Sequence, residues 1–287
     1  MEPLQYLSPP LPPNQPPDGY RWEEYNMSVS SKTTAFVTGI DRRDSFLGKP
    51  RCVVCGAHFH QALEHALIIP QAEPETWSDL RGRGWIPEQA KLNPCHEARN
   101  GVLFCNYHHK LFDAFAFFIR FFPNIRKFVL VNYSDETSLQ AFHGKAIALE
   151  ITDHHAPFPS LFIIHEMRVR GFHPFAPLRP DMPINPAWQD WISSSGVFDN
   201  TTNSFIREQP SLNRNRDVTA QSQIPSTMAN TGDMASDGGL AYDSNVIEEI
   251  LAVTRAMPSW KACQVEGTPW TGTAEENIQK YISHIGV

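Results

Sequence analysis

Arg51-Cys52-Val53-Val54-Cys55-Gly56, answered about fifty residues later by Cys105-Asn106-Tyr107-His108, is the pattern on which the fold turns. Two ligand pairs of soft or borderline type are what a tetrahedral structural zinc requires. A two-residue spacer lets one tight turn aim both side chains of a pair at a single ion. Pairs this far apart in sequence clamp remote parts of the chain together. Cys52, Cys55, Cys105 and His108 are therefore read as zinc ligands.

Working outward, Leu63 to Pro70 reads as a short buried strand stopped by proline. Pro74 to Ala90 reads as a short helix and loop anchored by Trp77, Leu80 and Trp85. Asn100-Gly101 marks a turn, Val102 to Cys105 a second strand, and Tyr107 to Phe117 a helix. The order is strand, turn, strand, helix. Phe118 to Phe122 and Lys127 to Tyr133 read as further strands, and Ser138 to Leu149 and Ser160 to Arg170 as helices. Before the first cysteine, Met27 to Thr38 is rich in Ser, Thr and Val and suggests strand.

The 41% hydrophobic and 11% aromatic content is enough to build a core. The 24 prolines, clustered at the N-terminus and in the second half, place irregular flanks around a compact middle. The expected organisation is a proline-rich disordered leader over 1–18, a mixed α+β domain over 19–176 and a disordered linker over 177–245. Short helices follow over 246–287, where Thr273-Ala274-Glu275-Glu276 has capping-box spacing.

A net charge of -7 excludes a protein that coats nucleic acid through a broad basic field. Any such contact is local, and Arg81 to Lys127 is the stretch where cations outnumber acids. No secretory signal and no apolar run long enough for a transmembrane helix is present, so no membrane association is expected. Five cysteines including a C-x-x-C pair fit a reducing compartment, with nucleus or cytoplasm as the expected location.

Several ordered motifs together resemble the HNH nuclease domains frequent in fungal proteins. They are the knuckle at 51–56, Leu63-Glu64-His65-Ala66-Leu67-Ile68-Ile69-Pro70, Trp77, Gly84-Trp85-Ile86-Pro87, and His96-Glu97-Ala98-Arg99-Asn100-Gly101 running on to Asp113. The resemblance implies a ββα-metal core over 51–113 inside the larger α+β domain. It implies Asn100 as the residue bracing the turn between strands, and His109 as the helix residue holding a catalytic Mg²⁺ or Mn²⁺. Arg81, Arg83, Arg99 and Lys110 are the candidate contacts to DNA.

One position departs from the family. The general base ordinarily stands just before Ile-Ile-Pro, where this chain has Leu67. His65 is the substitute candidate, on the same strand face but about 6.6 Å away along the strand. Two readings follow: a metal-dependent endonuclease acting on DNA phosphodiesters with reduced or lost activity, or a catalytically degenerate, zinc-stabilised module that binds nucleic acid or protein.

Weaker candidates are His58 and His60 after the knuckle, and Glu64 on the strand face opposite His65, as a partner of the site. Cys95, Cys263 and His154-His155 read as incidental. Phe115 to Phe122 reads as core under the helix.

Overall fold

The computed structural model describes residues 34–176, 182–208, 244–267 and 273–285. The expected leader over 1–18 and most of the expected linker lie outside those residues, but residues 182–208 of that linker are described and bury Ile192, Val197 and Phe205 in the core where disorder was expected. The first described element is α1 (Thr34–Arg43), a helix where strand was expected as far as Thr38. Its buried residues Phe36, Gly39, Ile40 and Arg43 fall at helical spacing. Arg43 completes the stripe only because it is buried, which its residue type does not announce.

After α1 come β1 (Ser45–Phe46) and β2 (Lys49–Pro50), a two-residue ladder leading into the knuckle. Then β3 (Leu63–Leu67) pairs antiparallel with β4 (Gly101–Cys105), Leu63 opposite Cys105 and Leu67 opposite Gly101. Between them lie α2 (Pro74–Gly82) and two short 3-10 turns. The helix α3 (Asn106–Asp113) follows β4 at once, so the expected strand, strand, helix order is present.

Strand alternation gives the β3–β4 hairpin two different faces. Ala66, Val102 and Phe104 look into the main core. Leu63, Leu67 and Leu103 look toward Phe36 and Ile40 of α1. All five residues of β4 are buried, because α1 covers one side and the core the other. The approach is close enough that a Cβ on Gly101 would lie 2.2 Å from Ile40 Cδ1, which only glycine avoids.

Next, β5 (Phe117–Phe122) and β6 (Lys127–Asn132) form a second hairpin, and α4 (Pro159–Phe172) packs against β5. Ser138 to Leu149 differs from the expected helix. It holds a 3-10 turn over Thr137–Phe142 and then an irregular stretch whose backbone bonds to β6, Leu130 N donating to Lys145 O and Ile147 N to Phe128 O. A helix there would forfeit those cross-chain bonds. The remaining elements are α5 (Asp190–Ser195), β7 (Phe198–Asp199), β8 (Ser204–Phe205), α6 (Ser244–Ala256), α7 (Pro258–Glu266) and α8 (Ala274–Ile285). The capping box at α8 is made, with Glu276 N donating to Thr273 Oγ1 at 3.3 Å and Thr273 N to a Glu276 carboxylate oxygen at 2.9 Å. No helix among the described residues is long and apolar enough to cross a membrane.

Where α4 meets α3, the buried His165 ring stacks on Phe112 at 3.7 Å and its Nε2 lies 3.3 Å from Phe112 O. Burial, reinforced by the Arg168 charge, pushes His165 down to about 3 from 6.5. Between those values the unfolded chain binds the proton that the fold refuses. Stability therefore falls as pH drops below about 6.5, with a slope of about 1.4 kcal/mol per pH unit from this residue. In urea unfolding, His165→Phe should lose about 2 kcal/mol less stability than wild type between pH 7 and pH 5. Parallel slopes would contradict the assignment.

Candidate functional site

The knuckle turn brings its two cysteines together through local bonds. Gly56 N donates to Cys52 O at 2.9 Å, and Cys52 N to Ala57 O at 2.8 Å. Gly56 has φ +72° and lies under Trp191, whose ring carbons would sit 2.4 Å from an added Cβ. The turn thus needs glycine for both dihedral and space. Trp191 Nε1 donates to Val54 O at 2.8 Å and holds the knuckle from above.

The second pair arrives at the β4–α3 junction. Cys105 stands at the N-cap of α3 but makes no cap bond, its sulfur lying instead 3.1 Å from His108 Nδ1. Cys55 Sγ is 3.8 Å from Cys105 Sγ, and Cys52 Sγ 3.7 Å from His108 Nδ1. All four ligand atoms lie within 4.8 Å of one another. Zn–S bonds of about 2.3 Å in a tetrahedron place sulfurs about 3.8 Å apart, so the donors fit such an ion.

Electrostatics agree with that fit. Burial pushes the Cys52 thiol well up, while hydrogen bonds from Cys52 and Cys55 hold Cys105 well below the usual thiol range. Burial alone would lower His108, yet the neighbouring sulfurs push it up to about 9. Crowded donors that trade protons in this way are relieved by a cation at their centre. The cluster could hold a zinc ion, as a closed four-ligand centre that crosslinks the knuckle to the hairpin and helix.

Residues 52–120 match the family described as HNH endonuclease. This segment is an HNH nuclease-family domain. No curated protein and no solved structure matches the chain. Metal binding and a nuclease-like or nucleic-acid-binding role are what the family suggests.

Within the HNH domain, Asn100 is fully buried and ties three segments. Its Oδ1 accepts from Ile69 N at 2.9 Å, and its Nδ2 donates to Ile69 O at 2.9 Å and Pro94 O at 3.2 Å. Those bonds hold the exit of β3 against the entry of β4.

His109 lies on α3 above the core face of β3. Its Nδ1 is 2.6 Å from a Glu64 carboxylate oxygen and its Nε2 3.4 Å from Asp113. Asn106 Nδ2 donates to the other Glu64 oxygen at 2.6 Å. Burial pushes the Glu64 carboxyl up, but the bonds from His109 and Asn106 outweigh it and hold the group below the ordinary range.

His65 stands on the other side of the strand. Its Nε2 is 2.7 Å from Asp41 of α1, and its ring faces Phe36 at 6.4 Å. Leu67 joins the same apolar α1 face. Alternation in β3 thus separates positions 65 and 67 from His109, and sets Glu64 beside it. Glu64 was signalled in the sequence by that same alternation. Asp41 was not, because nothing in the pattern brings α1 over the hairpin.

The basic candidates also divide. Arg83 and Lys110 are exposed, and Arg81 is half-buried with its guanidinium on Glu88 O. Arg99 is unavailable to a phosphate. It is buried between Glu97 at 2.8 Å and Glu266 at 2.9 Å, which hold it charged against the cost of burial. Arg120 is likewise buried against Glu166. Among the rest, His58 lies 3.5 Å from Arg51, and Cys95 is buried beside His96 at 3.3 Å. Cys263 is buried near Glu97, and burial pushes its thiol up, which does not suit a nucleophile.

Proposed function

We propose that the chain is a zinc-stabilised HNH-type module that engages DNA locally and whose phosphodiester hydrolysis is reduced or lost. Zinc is held by Cys52, Cys55, Cys105 and His108. DNA meets Arg81, Arg83 and Lys110. The observation that carries this reading is that His65 and His109 stand on opposite faces of β3, with Leu67 turned into the apolar α1 contact. A general base must come within hydrogen-bond reach of the water it activates. Misplacement of even about 1 Å can cost on the order of 100-fold in rate, and here a whole strand intervenes.

One observation favours retained hydrolysis instead. Glu64, His109 and Asp113 form a partly exposed row of carboxylate, imidazole and carboxylate. With Mg²⁺ or Mn²⁺ such a row would stabilise the charge developing on a phosphodiester. The two readings separate in a plasmid-nicking assay with either ion, run beside fluorescence anisotropy on duplex DNA. Wild type and His109→Ala should nick no faster than buffer. Lys110→Ala and Arg83→Ala should each weaken binding and lower the salt slope by about one. Nicking by wild type that His109→Ala or Glu64→Ala removes would establish the enzyme. Wild type without affinity for duplex DNA would refute the binding role.

A further inference from the structure

Asp153, His154 and His155 are consecutive residues of a turn that reads in the sequence as incidental surface. The structure gathers one ligand atom from each of them to within 4.8 Å of the other two. This group shares no residue with the cysteine–histidine centre and lies outside the segment matched to the HNH family.

The turn is held from beneath by two buried guanidiniums. Arg99 Nε donates to His154 O at 2.9 Å, and Arg43 to His155 O at 2.9 Å. The charges of both arginines are answered elsewhere, Arg43 by Asp44 and Arg99 by Glu97 and Glu266. Asp153 closes the turn, its Oδ1 accepting from His155 N at 2.8 Å and its backbone carbonyl from Ala156 N at 2.9 Å. The His155 ring rests on the α1 backbone, where a Cβ on Gly39 would lie 3.6 Å from it. Such anchoring orients the side chains before any ligand arrives.

Two features point to a cation. His155 Nδ1 is buried with no hydrogen-bond partner, which costs about 1–3 kcal/mol unless something binds it. His154 Nδ1 and Asp153 Oδ1 are 3.8 Å apart, within a few tenths of an ångström of the about 3.3–3.6 Å that two ligands adopt about one tetrahedral ion at bonds of about 2.0–2.2 Å. Asp153 also faces Arg207, at 3.7 Å from its Oδ2, which leaves Oδ1 toward the histidines. His154 and Asp153 are 28% and 18% exposed, so an ion has an approach from solvent.

We propose that Asp153, His154 and His155 form a second divalent-metal site for zinc or a similar borderline cation. Two imidazoles and one carboxylate bind it, and one coordination position stays open to water or an oxyanion. Three protein ligands with an open position distinguish this site from the closed four-ligand centre. The inference is independent of whether the HNH domain cuts or binds DNA.

Metal content of the full chain, measured by elemental analysis after equilibrium dialysis against Zn²⁺, tests it. Wild type should hold about two ions per chain, and Asp153→Asn or His154→Gln about one. Co²⁺ loading gives an independent readout, since thiolate-to-cobalt absorption reports only the cysteine centre. That band should persist in both variants, which also shows that they fold. If one variant loses the band, the other carries the test, and Asp153→Glu, which keeps the carboxylate, should restore the second ion. Equal metal content in wild type and a variant that retains the band, whether one ion or two, would overturn the proposal.

Discussion

Cys105→Ser is expected to remove the cooperative unfolding transition of the HNH domain, and a strong zinc chelator to do the same to wild type. Cys105 sits where β4 becomes α3, and its sulfur lies 3.8 Å from Cys55 and 3.1 Å from His108. With serine a bound zinc would keep three ligands, of which Cys52 and Cys55 belong to the knuckle and His108 alone to the helix. Structural zinc in small domains contributes apparent binding energies of about 10–16 kcal/mol. Whole domains are stable by only about 5–15 kcal/mol. Losing even half of the first quantity takes most of the second. Circular dichroism during heating, with and without chelator, is the check. A Cys105→Ser chain that melts within about 3 °C of wild type would show that the core holds without metal.

A comparable loss is expected at Asp44, far from any metal ligand in sequence role. Its carboxylate is fully buried and accepts from Arg43 Nε at 2.7 Å and from Leu103 N at 3.1 Å. Arg43 in turn donates to the carbonyls of Gly101 and His155 at 2.9 Å each. Through this pair the end of α1 is bonded to β4 and to the 153–155 turn. Asp44→Ala would leave a guanidinium in the interior with neutral acceptors only, and Leu103 N without its partner. Breaking a buried pair from one side costs about 3–5 kcal/mol. Replacing both members by apolar residues, as in Arg43→Met with Asp44→Leu, should cost less than the two single changes together. Urea unfolding reads this directly. A penalty below about 1 kcal/mol for Asp44→Ala would mean that water reaches the pair.

The Cys52, Cys55, Cys105 and His108 cluster that could hold zinc was readable because spacing decides whether two donors in a turn can reach one ion. Strands β4 to β6 were readable as short, nearly continuous apolar runs bounded by turn residues, and α4 as a helix by its length and apolar content, although Met167 of the expected stripe is exposed. The capping box of α8 was readable because both of its bonds are local. By contrast α1 carries the β-leaning residues Thr34, Val37 and Thr38, and it is a helix because packing on β3 and β4 outweighs that bias. The helix α7 lies within the stretch expected to hold short helices, but nothing local shows that its Glu266 would hold Arg99 inside.

From its own order of residues, then, this chain determined the ligand quartet, the strand–strand–helix succession and the alternation that sets Glu64 and His65 on opposite sides of β3. Those properties depend on neighbours a few positions away, or on donor chemistry that spacing makes plain. Only the tertiary structure decided which face of the hairpin α1 would cover, that Arg43 and Arg99 would be buried rather than offered to phosphate, and that Asp153, His154 and His155 would be held together over two guanidiniums. Those outcomes rest on contacts between segments far apart in the chain, most of them more than fifty residues, whose free energy no local pattern encodes.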